Sequence, residues 1–505
     1  MSKLLTALVF GLLLVAVGVY AEEPIPGVTV EGSNVLRYDE GPEVDIRLQE
    51  ADYPNNTVAR HFFEDRMRLD VYRGNLRVGA RFLYFRPSTE DALKDGLLAE
   101  SRIDKRYLEA TLAPFKIRAG NFSDVWGSGL AFSSFENRDI YFDSELDGAR
   151  VELDAEPFFV TVLRGTTQPG RLVQQADVTA ARFNPRFGGE SVAFNYVRVD
   201  SGAYPETHVA SVDWRLTGGP VTLYGERAWN RTLPTVSSRN SGHATYAGGI
   251  LSKWGYSWLL EYKDYDYKAV TPFQNPAVVY RDLGPRLLQA RDPHVLNIPN
   301  EVGFQTELSG NIVEGTYATL HYNLASRHAA DQKGIPLPTL HQVDAPYWEA
   351  FANVDQDLPG NRKVTAELGA NEEASTVWEK RQWVWLTYTT PFKTTQQLEF
   401  ESQTLLINDQ VHTGTKNTDQ LFSVSWNNGK GISLTVEDQF SNDKELKKRE
   451  GSNWPSVEAA FVLSGGKNRM SFFYGRDRGG LRCSNGVCRQ VQAFKGFRLT
   501  LETTL

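Results

Sequence analysis

The chain is short of several residue types, and each shortage closes off a class of protein. It has 2 cysteines in 505 residues, Cys483 and Cys488. A small disulfide scaffold is thereby excluded, and the close pair reads as one local disulfide in an exported protein. The 8 histidines, at 61, 208, 243, 294, 321, 328, 341 and 412, show no metal-ligand spacing. Positive charge is not in excess: the net charge is −8, without the basic face that nucleic acid requires. Methionine is scarce at 3. No window beyond the start holds the ~18 consecutive apolar residues of a membrane-spanning helix. No nucleophile elbow, P-loop or dinucleotide fingerprint is present. Gly127-Ser-Gly129 lacks the strand-to-helix setting that would activate Ser128, and reads instead as a turn or close backbone packing. No cofactor or enzymatic activity is expected.

What is abundant points to strands. Aromatics make up 12% of the chain and glycines number 42, which suits sheets joined by tight turns. Residues 1–21 read as a signal peptide. Lys3 is followed by the apolar run Leu4 to Val19, then by Val19-Tyr20-Ala21 as a cleavage site. Residues 22–61 form an N-terminal segment, and from Phe62 onward apolar and polar residues alternate. Phe115, Ile117 and Ala119 alternate with Lys116 and Arg118. Leu398 and Phe400 alternate with Gln397, Glu399 and Glu401. Neighbouring side chains of a strand point to opposite faces, so each strand has one apolar and one polar face.

Connection lengths separate a barrel from a sandwich. Short connections, such as Arg73 to Asn75, Ala155 to Pro157, Ser309 to Asn311 and Asn427 to Lys430, alternate with long ones. The long ones include Ser123 to Leu146, Lys268 to Glu301, Arg327 to Ala345 and Asp477 to Gln492. Outer-membrane barrels sort their loops this way, with short periplasmic turns and longer outer loops. Counting gives 23 strands from Phe62 to Leu505, and the parity demands one more before them. Val28 to Tyr38 is the candidate. The expected fold is all-β: one transmembrane antiparallel barrel of about 24 strands, with 22 as the fallback. Residues 62–505 form its body. The segment before Phe62 is too short for a separate plug domain, so the lumen is open, or filled by inward-folded loops or a partner protein.

Tyr72, Tyr84, Trp229, Tyr262, Tyr388, Trp426 and Tyr474 fall near strand ends and fit interfacial aromatic girdles. The last strand, Phe497 to Leu505, resembles the C-terminal recognition strand of bacterial barrels, although those more often end in Phe. The polar faces carry Arg66, Arg68, Asp70, Arg81, Glu109, Lys116, Arg118, Glu261 and Glu399. Charges are costly against lipid, so these are expected to line the lumen, either as salt-bridged ladders or as determinants of ion selectivity.

Two stretches are distinctive. One is Gly120-Asn-Phe-Ser-Asp-Val-Trp-Gly-Ser-Gly-Leu130, followed by Asn137-Arg-Asp-Ile140 and Leu146-Asp-Gly-Ala-Arg150. The other is Gly479-Gly-Leu-Arg-Cys-Ser-Asn-Gly-Val-Cys-Arg489. Together they resemble an uncharacterised bacterial family of large outer-membrane barrels, known mostly as a domain of unknown function. The resemblance implies location and fold, and carries no catalytic residue.

The expected function is a porin-like channel for passive diffusion of small solutes across the bacterial outer membrane. The alternative is a non-transporting barrel that anchors or houses a partner protein. Lipid and, during biogenesis, the barrel-assembly machinery are the expected partners. Two local expectations complete the reading. The Asn485-Gly486 turn would set Cys483 opposite Cys488. The long segment Lys268 to Glu301 would fold back to narrow the lumen, with Arg281, Arg286 and Arg291 reaching wall carboxylates such as Glu261 or Glu307. An outward cap is the competing position for that segment.

Overall fold

A computed structural model of the protein describes residues 27–44, 57–89, 91–92, 96–168, 175–187, 190–202, 204–233, 241–267, 270–277, 288–289, 294–330, 334–374, 378–409, 416–484, 487–491 and 493–504. Alternation along the chain produces one 24-stranded antiparallel sheet in which each strand pairs with its neighbours in chain order. The expected first strand is real and longer than anticipated, Val28–Val44. It pairs with Thr57–Arg73 on one side and with the last strand, Phe494–Thr504, on the other. That second pairing closes the barrel and leaves no free sheet edge.

A buried ionic cluster crosses the seam. Asp39 accepts from Arg37 Nη2 at 2.7 Å, Arg60 Nη2 at 3.0 Å and Arg498 Nε at 3.0 Å. It thus ties the first, second and last strands together. Each arginine brings several donors in a planar fork, which lets one carboxylate serve all three.

The parity of the connections holds for most of the barrel. Short turns such as Gly74-Asn75, Gly219-Pro220 and Trp254-Gly255 gather at one end. Both the start of Val28–Val44 and the end of Phe494–Thr504 lie there too. The turn expected at Ser309 to Asn311 lies instead inside the strand Glu301–Val313, and the chain reverses at Glu314-Gly315. Gly310 misled the reading: its missing side chain makes room for Tyr256 on the adjacent strand, and it makes no turn. The loop end has two short connections as well, after Ser201 and after Ala374. One loop-end connection carries a short helix, Lys444–Glu450, capped by the Asp443 carboxylate.

The outward face carries a broad apolar belt. Val78, Ile117, Val162, Phe194, Leu223, Leu260, Leu320, Leu386, Phe422 and Val436 are all exposed there. Tyr84, Trp229 and Tyr474 are exposed near strand ends, as a girdle requires. Tyr72 is not part of it. It shares the inner face with Asp70, and its hydroxyl donates to Glu31 at 3.0 Å. The small hairpin Gly480–Ser484 with Val487–Val491 sets Cys483 opposite Cys488 in register. The side chains of this hairpin and the Asn485-Gly486 turn lie outside the described residues.

Candidate functional site

The charges expected on the lumen face lie on the inner face, most of them on the first strands and Glu261 and Glu399 farther round the barrel, and most are paired. Arg68 Nε donates to Asp70 at 2.8 Å, and Arg77 lies 3.3 Å from the same carboxylate. Glu109 meets Lys116 at 3.3 Å and Arg118 at 3.4 Å. Arg66 Nε lies 3.6 Å from Glu64, while Arg81 is forked onto Asp104. Glu261 is occupied by neutral donors, the Tyr224 and Tyr246 hydroxyls and the Gln305 amide. Glu399 accepts from Thr389 at 3.4 Å. Cross-strand opposite charges and hydroxyls stabilise a sheet pairwise, and this wall is built as such a ladder.

The sequence motif around Gly127-Ser-Gly129 belongs to a loop that enters the barrel. Glu226, on the inner face of Val221–Leu233, accepts from the Ser128 backbone N–H at 2.8 Å and the Ser128 hydroxyl at 2.9 Å. It also accepts from the N–H groups of Leu130 at 3.2 Å and Ala131 at 3.1 Å, and from Ser211 Oγ at 2.7 Å. Gly127 (φ +56) and Gly129 (φ +79) give the backbone its left-handed shape. Any side chain would collide there. A Cβ on Gly127 would fall 2.7 Å from the Glu226 carboxylate, and one on Gly129 2.6 Å from the Asn275 carbonyl. The motif is therefore an anion cradle for a carboxylate of the protein itself.

The other half of this loop reaches the strands beside the seam, Thr57–Arg73 and Leu76–Arg86. Arg138 Nε donates to Glu64 at 2.8 Å, and Arg81 Nη2 donates to Glu136 at 2.8 Å. Tyr141 packs edge-on against Phe85, with ring centroids 5.9 Å apart. Burial alone would raise the Glu136 carboxyl, but Arg81, Lys105 and Arg138 hold it well below the usual carboxylate range. A loop bound both to Thr57–Arg73 and to Val221–Leu233 has to cross the lumen. A cavity of about 360 Å³ remains between it and the seam, lined in part by Arg37, Arg60, Arg66, Arg138 and Arg498.

The long segment 267–300 enters as well. Ser133 N–H donates to the Phe273 carbonyl at 2.8 Å, Asn275 N–H to the Gly129 carbonyl at 3.0 Å, and the Tyr267 hydroxyl to the Leu130 carbonyl at 2.8 Å. Phe273 stacks on Phe132 at 5.9 Å. Farther along, Leu288 packs on the inner-face residues Phe351, Trp383, Leu405 and Leu421. His294 then stacks on Tyr347 at 4.3 Å, with Nδ1 2.9 Å from Glu373 and Nε2 3.4 Å from Glu301. Its described residues therefore lie inside the barrel, and the inward position expected for this segment holds for them. Arg281, Arg286 and Arg291 lie outside the described residues.

Sequence reasoning missed Glu226, His294 and the Asp39 cluster as organising residues. Glu226 sits on a polar strand face, Asp39 just past the expected first strand and His294 in the long loop; their partners lie across the lumen or the seam, where spacing carries no signal. It also missed an acidic wall. From Glu301 to Leu463 the inner face presents Glu307, Glu349, Glu367, Glu401, Glu437 and Glu458, with Lys363 and Arg381 as the cations among them. Neutral donors hold several of these carboxylates. Trp383 donates to Glu367 at 2.9 Å, and Trp385 to Glu401 at 2.6 Å. Among the described residues, no group of three or more histidine, cysteine or carboxylate side chains could hold a metal ion.

Fold and lumen together define a large barrel of porin-like architecture whose interior is occupied by two of its own loops. The chain belongs to the family of unknown function DUF6029, whose model matches residues 9–185 and 286–505. No curated protein matches it in sequence. Among solved structures it is similar to the P pilus usher (PapC) translocation pore, at 9% identity and a TM-score of 0.51, over 94% of this chain and 99% of that one. That likeness is one of fold. OpdK of Pseudomonas aeruginosa matches at 11% identity and a TM-score of 0.40, over 82% and 99% of the two chains. A BenF-like porin from Pseudomonas fluorescens matches at 10% and 0.38, over 71% and 98%.

Proposed function

We propose that the protein is a channel of the bacterial outer membrane that passes small solutes and favours those carrying positive charge. The carrying observation is the pairing of an apolar outer face with a polar inner wall whose unequal halves leave carboxylates in excess on one side. The arginine-rich wall by the seam is largely neutralised by its own ion pairs. The wall from Glu301 to Leu463 has carboxylates with few cations among them, and fixed charge on a pore wall sets ion preference. The short turns would face the periplasm and the loops the exterior. The signal-peptide reading of residues 1–21 supports export, and the barrel supports passive diffusion better than catalysis.

The usher likeness keeps a second reading alive, a pore that handles a protein partner. The two loops anchored in the lumen weigh against it, since a polypeptide needs a wider clear path. The test is reconstitution in planar bilayers under a salt gradient. A stable conductance with a cation-selective reversal potential is expected, and Glu401→Gln with Glu437→Gln should shift that potential toward zero. A correctly inserted barrel with no conductance, or an anion-selective one, would sink the proposal.

A further inference from the structure

The loop between Thr316–Ser326 and Tyr347–Leu358 goes the other way, to the outside of the barrel. Tyr262 is on the outward face, in phase with the exposed Trp258 and Leu260, and its hydroxyl donates to the Pro336 carbonyl at 2.8 Å. Tyr262 lies four residues in from Asp266, the end of its strand. The loop therefore hangs roughly 13 Å down the outer wall, at the ~3.3 Å rise of a strand residue. Beneath it, outward-pointing Val302 (0% exposed) and Leu324 (8%) are shut off from solvent.

Under the same cover sits a polar group on the wrong face for a barrel. Asp264 points outward, yet it is 4% exposed. His328 of the loop meets it at 2.9 Å, His243 at 3.4 Å and Arg227 at 3.6 Å. The outer surface of the loop is the reverse in character. Residues 334–343, Gly-Ile-Pro-Leu-Pro-Thr-Leu-His-Gln-Val, contain no Asp, Glu, Lys or Arg. Ile335 is 77% exposed, Leu337 56%, Leu340 63% and Val343 84%.

We propose that residues 335–343 are a membrane-embedded apron, immersed in the acyl chains of the outer leaflet. Its occupant is hydrocarbon rather than protein for two reasons. The exposed side chains continue the apolar belt of Trp258, Leu260, Leu308 and Leu320 on the same outer wall. The segment also offers no charge with which to orient a protein partner, and protein interfaces carry a polar rim. The apron has a structural consequence: it lets the barrel keep Asp264, His243 and Arg227 on its outer face, because lipid meets apolar loop residues instead of a carboxylate. The inference rests on the membrane location proposed above and is independent of transport.

The test uses the full barrel with Cys483→Ser and Cys488→Ser, carrying one bimane-labelled cysteine at position 335, 340 or 343. Position 320, in the belt, and position 428, in a short turn, serve as references. Each protein is checked for heat-modifiable migration, then placed in phosphatidylcholine vesicles with or without brominated acyl chains. Labels at 335, 340 and 343 should lose as much intensity to brominated lipid as the label at 320, and resist aqueous iodide. The label at 428 should behave in reverse. Quenching of the loop labels by iodide and not by brominated lipid would overturn the apron. Protection from both quenchers would also overturn it, in favour of cover by a second copy of the chain. Failure of the label at 320 to respond to lipid would remove the membrane reading itself, a different result from failure at the loop positions alone.

Discussion

Two stretches of the inner wall obey different rules. From Phe115 to Asp266 the inner face carries an apolar patch: Leu163, Val178, Ala180, Val197, Val199, Val209, Ala228 and Ala244 form one buried cluster with Trp126, Phe132 and Phe273 of the loops. From Glu301 to Leu463 the inner face is mostly carboxylate and amide, with a single apolar patch where Leu288 lands. Alternation reports which side chains point inward, but whether that side is wet depends on what packs against it. Where an apolar loop covers the wall, apolar inner side chains are favoured, because buried contacts stabilise by roughly 25 cal/mol per Å² removed from water, and a polar one such as Glu226 needs its own set of donors. Where none does, polar groups remain.

The largest expected effect comes from removing the loop that makes the walls differ. Deleting residues 272–298 removes Phe273, Leu288 and His294 together, and with them contacts to both walls. Single-channel conductance should rise several-fold. Unchanged conductance in a deletion that still shows heat-modifiable migration would mean that the loop does not narrow the path, and the contrast between the walls would lose its functional meaning.

A single residue sharpens the same comparison. Glu226→Ala strips the acceptor from the Ser128, Leu130 and Ala131 N–H groups and from two hydroxyls. A buried donor left without a partner costs about 1–3 kcal/mol, so the cradle should lose roughly 3 kcal/mol or more. The barrel should still form, since its strand ladders are untouched, while residues 127–131 become open to protease and conductance turns noisy. Glu226→Gln, which keeps one carbonyl oxygen, should show a smaller change. Full protease resistance in the alanine variant would show that the loop is held by its apolar contacts alone.

Much of the barrel was legible because its rules are local. Period-two patterning located the strands, and loop parity required a strand before Phe62, which is present as Val28–Val44. Turn chemistry was less dependable: Gly310 mimicked a turn because a glycine that makes room for a ring looks like one that reverses a chain. The lumen was only half legible. Gly127-Ser-Gly129 stood out as a backbone motif, yet its partner Glu226 lies 98 residues away in sequence from Ser128. The weakened alternation around Ala180-Ala181 was in plain view, and in hindsight it is the signature of a wall covered from within. The Arg327 to Ala345 connection looked like an ordinary outer loop, because direction of folding follows from tertiary contacts such as Tyr262 to Pro336.

The smallest effect concerns the far anchor of the long loop and is read through pH. His294 is buried, which alone would lower its pKa, but the carboxylates of Glu373 and Glu301 outweigh burial and raise it to about 9. Lys263 faces the same group and pairs with Glu301, and Tyr347 covers the ring. A histidine whose pKa is higher in the folded state than its ordinary ~6.5 stabilises most when protonated in both states. The His294 contribution is thus complete below about pH 6.5 and is lost as pH rises through 9, by at most about 3 kcal/mol. Between pH 7 and 10 the loop end near Glu373 should loosen, and conductance should increase modestly. His294→Gln retains the size and one donor without the titration, so its conductance should be flat across that range. An equal pH response in this variant would assign the effect to another group and leave His294 as a packing residue against Tyr347.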